Sequence, residues 1–117
     1  MKTWKQFEHW VVWQFRDMGW PKAKRNFGEQ FEKKSGRDIL NTDPLVVQVG
    51  YGKTQSLIQK FKQARGEVKK GEIPLAIVRK TEKGKRPITY AIFEWKDIKE
   101  ILKIWRLTEK NLSKNNF

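Results

Sequence analysis

Three side chains in this sequence have the types and spacing to share one metal ion. Asp38 opens a short apolar segment, Asp38-Ile39-Leu40, and Gln48 lies near the end of the next one, Leu45–Val49, with the turn Asn41-Thr42-Asp43-Pro44 between them. Segments joined by such a turn pair as strands, so a carboxylate and an amide oxygen ten residues apart along the chain can reach one divalent cation. Glu8 offers a third oxygen. It falls on the margin of an apolar helical stripe, where an acid costs solvation free energy unless a cation meets it. A metal held by such a set activates water and offsets charge at a phosphodiester. Each residue also has a plainer use: Asp38 as a turn or cap, Gln48 as a solvent-facing strand residue, Glu8 as a carboxylate reaching out of the stripe.

The rest of the composition narrows the chemistry. With no cysteine and a single histidine, His9, the chain cannot build thiolate or histidine-rich metal sites, so oxygen ligands and Mg2+ or Mn2+ are expected. Twenty-six Lys and Arg against thirteen Asp and Glu give a net charge of +13, which favours a polyanionic partner, above all nucleic acid. Lys22, Lys24 and Arg25, then Lys33, Lys34 and Arg37, flank the carboxylates in sequence and are candidates for contacts to a DNA backbone. Lys60, with Lys62 and Arg65, extends that set onto a later helix. A phosphate-cradling loop is excluded at Gly52-Lys53-Thr54, because the glycine that must stand five residues earlier is Val47, inside a strand.

These groups need elements to position them. A chain of 117 residues makes one domain, and 38 % hydrophobic and 13 % aromatic residues suit a folded core. Residues 3–18 predict a helix capped by Thr3 and ended by Gly19, with Trp4, Phe7, Val11, Phe15 and Met18 on one stripe. A short strand or extended segment and a basic loop follow over 20–37, then the two strands around Asp38 and Gln48. A second helix from Thr54, capped by Thr54 or Ser56, carries Leu57, Ile58, Phe61, Ala64 and Val68 as its apolar face. Ile73–Arg79 and Pro87–Phe93 read as adjacent strands linked by a charged hairpin loop. A last helix spans about 96–108 with Ile98, Ile101, Leu102 and Trp105 inward, followed by a fraying tail over 111–117. The expected fold is a single α/β domain over 1–110, a mixed central sheet flanked by helices in the order α-β-β-β-α-β-β-α. Trp4 and Trp105 are expected in the core, and Trp10, Trp13 and Trp20 on a surface that stacks on unpaired bases or forms a dimer face. No apolar run is long enough for a membrane span, and Glu8 and His9 interrupt the start where a signal peptide needs apolar residues, so a soluble cytoplasmic protein is expected.

Ser35-Gly36-Arg37-Asp38-Ile39, then Pro44-Leu45-Val46-Val47-Gln48-Val49, then a helix and an apolar strand, together resemble the PD-(D/E)-x-K nuclease superfamily, with a likeness to small archaeal and viral Holliday-junction-resolvase-like endonucleases. The likeness covers residues from about 4 to 95. It implies a restriction-endonuclease-like core, Mg2+- or Mn2+-dependent hydrolysis of branched or single-strand-containing DNA, and a homodimer working in the cytoplasm, the host's if the chain is viral. It further implies Asp38 as the motif metal ligand, Gln48 at the second acidic position and Glu8 as the glutamate of the first helix. The motif lysine falls at Gly50, which has no side chain. Three explanations stay open: Lys53 reaches back to supply the charge, the protein binds DNA without cutting it, or the chain carries a disabling substitution.

Overall fold

The computed structural model describes residues 3–26 and 36–115. Helix α1 spans Trp4–Met18. Thr3 caps it, its hydroxyl accepting from the Gln6 N–H while the Gln6 side chain accepts from the Thr3 N–H, so two otherwise unpaired donors are satisfied reciprocally. Gly19 ends it at φ 120°, a conformation that side-chain-bearing residues resist. Phe7, Val11, Val12 and Phe15 are buried, whereas Trp4 and Met18 are 52 % and 61 % exposed. Periodicity placed all five predicted residues on one stripe, but it reports angle around the axis and not how far the sheet reaches along it. The two ends of the stripe are open to solvent.

The strands are β1 (Lys24–Arg25), β2 (Ile39–Leu40), β3 (Leu45–Tyr51), β4 (Ile73–Lys80) and β5 (Ile88–Ile92). They form one sheet in the order β1-β2-β3-β4-β5, antiparallel except for the parallel pair β3/β4. Helix α2 (Leu57–Gly66) makes the crossover between that parallel pair. A parallel pair is covered on both faces, and residues 46–50 of β3 are accordingly all buried. Ile39, Val47, Val49 and Leu75 meet the α1 stripe and Ala23 in the core. On α2, capped by the Ser56 hydroxyl, only Ala64 is buried; Leu57 and Phe61 are half-buried and Ile58 is 60 % exposed, so its covered face is narrower than the spacing implied.

Element order follows the sequence reading, and the domain is a single α/β unit with a mixed open sheet and three helices. The last helix departs from it. Helix α3 spans Trp95–Asn115, running into the stretch read as a tail, and Trp105 is 58 % exposed instead of forming core. No helix among the described residues is long and apolar enough to cross a membrane.

Candidate functional site

Asp38 is fixed by the β2–β3 pairing. Its N–H donates to the Val47 carbonyl at 3.0 Å, and its Oδ2 accepts from the Val49 N–H at 2.8 Å. Burial pushes the carboxyl above its ordinary range, opposed by that N–H and by the charge of Lys60. Glu8 projects from α1 with 8 % exposure, and the cation that such a position demands is Arg25 of β1, whose Nε lies 2.8 Å from Oε1. Burial still pushes Glu8 upward against Arg25, and the nearby Asp38 charge pushes the same way. Arg25 also lies over the Trp4 ring at 5.7 Å and 3.2 Å from His9 Nε2.

Glu8 and Asp38 line one open pocket of about 270 Å³, together with Trp4, Tyr51, Gln55 and Lys60 and the β3 residues Val49 and Gly50. Lys60 comes from α2. A Cβ built on Gly50 would stand 3.2 Å from Lys60 Cγ and 3.1 Å from Gln55 Oε1, so these two side chains fill the space that glycine leaves. The β3–α2 turn beneath them is held by Lys80, whose ammonium donates to the carbonyls of Lys53 and Gln55 at 2.9 and 2.6 Å.

Of the residues proposed from sequence, the structure therefore gathers Glu8, Asp38 and Lys60. Gln48 is not among them. It is 3 % exposed, and its amide nitrogen donates to the Gly36 carbonyl, tying down the segment that leads into Asp38. Neighbouring strand residues point to opposite faces, and the pocket reaches Asp38 past the backbone of Val49, which the ten-residue spacing could not reveal. Lys53 does not line the pocket either: it is exposed, and the turn at Gly52 (φ 121°) carries the chain away before α2 returns with Lys60. Two candidates for DNA contacts have internal duties. Arg25 pairs with Glu8, and Arg37 forms a two-pronged bond to Glu72, both arms 2.9 Å, which holds Glu72 below the ordinary carboxylate range. Lys22 and Lys24 are exposed; Lys33 and Lys34 lie outside the described residues. Trp20, read as a stacking surface, packs edge-on against Phe15 at 5.5 Å and donates to the Asp43 carbonyl, while Trp13 is 63 % exposed. Trp4, read as core, lines the pocket.

Among the described residues no three His, Cys, Asp or Glu converge. Two carboxylates suffice for magnesium, which keeps several of its waters and is commonly held by one or two. Glu8 and Asp38 fit that pattern: both are partly desolvated, they line the same pocket, and the Asp38 charge reaches Glu8. Comparison with protein-family models, curated proteins and solved structures returned no match.

Proposed function

We propose that this chain is a Mg2+- or Mn2+-dependent DNA endonuclease of restriction-endonuclease-like architecture, acting on branched or structured DNA as Holliday-junction resolvases do. The observation that carries this reading is the meeting of Glu8, Asp38 and Lys60, from three separate elements, in one open pocket of a strongly basic chain. Glu8 and Asp38 would hold the metal, which when bound supplies Lewis acidity and a more acidic water at the phosphodiester. Lys60 sets a fixed positive charge where the scissile phosphate gains negative charge, in place of a lysine at 50. Arg25 orients the Glu8 carboxylate through its Nε, so that Glu8 would be held in place for a metal. Two symmetric cuts in a branched substrate call for two copies of the chain.

A second reading, a DNA-binding module without cleavage, is favoured by the Gln48 bond to Gly36 and by Glu8 already having a cationic partner. One experiment separates the two: incubation of labelled four-way junction, fork, single strand and linear duplex with Mg2+ and with Mn2+. For a nuclease, the protein cuts branched DNA, Asp38→Ala abolishes cutting, and Lys60→Ala slows it by about 10²–10³-fold with binding retained. No cutting with either metal, together with salt-sensitive binding that survives Asp38→Ala, overturns the nuclease in favour of the binding module.

A further inference from the structure

Helix α3 is 21 residues long, yet every side chain from Lys99 to Leu112 is exposed. The Cα radius of gyration, 16.0 Å, exceeds the roughly 13.4 Å expected of a compact domain of this length, as a projecting helix requires. A helix without tertiary packing is marginal in water, and this one is not polar all round. Trp95, Ile98, Ile101, Leu102 and Trp105 recur at intervals of three and four on one side, and Leu112 follows two turns further on, with Trp95 69 %, Leu102 45 %, Trp105 58 % and Leu112 53 % exposed. Lys96, Lys99, Lys103, Arg106 and Lys110 form a row along one flank.

We infer that this seam is an interface with α3 of a second copy of the chain, the two helices running antiparallel about a two-fold axis. Charge placement selects the occupant. Glu109 is the single acid on the apolar side among the described residues of the helix. In an antiparallel pair that sets Leu102 against Trp105 of the other copy, Trp95 meets Leu112, and Glu109 arrives at the level of Ile98 beside Lys99. Symmetry repeats that ion pair at the other end. A lipid surface would draw Glu109 towards the acyl boundary, and a nucleic acid would leave the apolar side uncovered. The five exposed side chains of the seam, Ile98 being half-buried already, remove roughly 500 Å² from each copy and about 1,000 Å² in total, the size at which a specific interface begins. The inference does not depend on the nuclease chemistry.

The test is sedimentation equilibrium of the full chain at micromolar concentration, alone and with vesicles containing phosphatidylserine. The chain should be dimeric and leave the vesicles unbound. Leu102→Glu should raise the dimer Kd by about 30-fold or more, with an unchanged melting profile for the sheet core, because Leu102 is exposed and does not belong to the core cluster. Glu109→Lys should weaken the dimer by about 3–10-fold, and Glu109→Lys combined with Lys99→Glu should restore most of the loss. A monomeric chain, a dimer indifferent to Leu102→Glu, a charge exchange that restores nothing, or capture by vesicles would each overturn it.

Discussion

Helices α1 and α3 carry the same kind of pattern, apolar residues at intervals of three and four with tryptophans among them, and they meet opposite fates. α1 lays Phe7, Val11, Val12 and Phe15 into the sheet and brings a glutamate with them, whereas α3 leaves its seam in solvent. Amphipathicity shows that a helix needs a cover but not where the cover comes from. For α1 it comes from β2 and β3 of the same chain. For α3, the stretch from Lys99 to Leu112 stays exposed.

The sharpest way to break this comparison is to remove one large apolar side chain from each helix. Phe7→Ala, emptying a fully buried site, should cost about 3–5 kcal/mol in urea unfolding. Trp105→Ala should change the stability of the dissociated chain by less than about 0.5 kcal/mol. Equal effects would mean that α3 packs on its own domain. Arg25→Ala comes next. It leaves Glu8 buried beside Asp38 without its partner and should cost about 3 kcal/mol, more at neutral pH than in acid, where Glu8 is protonated. In the dissociated chain, Lys99→Ala on α3, an exposed position, should be silent by the same measurement.

The smallest effect is set by pH. Glu8 and Asp38 both hold protons more tightly in the folded chain than when unfolded, so stability should decline as pH rises from the ordinary carboxylate range through their raised values. Glu72 works in the opposite sense: Arg37 lowers it, and the stability it contributes disappears as pH falls below the ordinary range. Asp38→Asn should therefore raise the thermal midpoint at neutral pH and flatten its decline above that range. A midpoint lowered by Asp38→Asn would show that the carboxylate is structural.

Much of this arrangement was legible in the sequence. The order of elements, the hairpin that presents Asp38, and the need of Glu8 for a cation all follow from periodicity, turn residues and the cost of burying charge. What stayed hidden depends on how elements meet. A two-residue period assigns Gln48 to a face of β3 but does not say that its amide turns to the Gly36 carbonyl. Helical spacing lists Lys60 among surface cations, and only the docking of α2 on β3 brings it over Gly50. Arg25 and Arg37 look like phosphate contacts by composition; their acidic partners, Glu8 and Glu72, lie 17 and 35 residues away. Trp4 and Trp105 look like core because tryptophan usually is.

Gly50 ties two positions together in a way that bears on how such a site can change over generations. The strand at 50 and the helix at 60 compete for the same few cubic ångströms, so a side chain gained at one crowds the side chain held at the other. A side chain at 50 needs Lys60 and Gln55 to give way by a few tenths of an ångström, so replacements of Gly50 are expected to be better tolerated where both are shortened. The two positions are expected to vary as a linked pair, with the positive charge passing from one element to the other only through a sequence that has lost it or carries it twice.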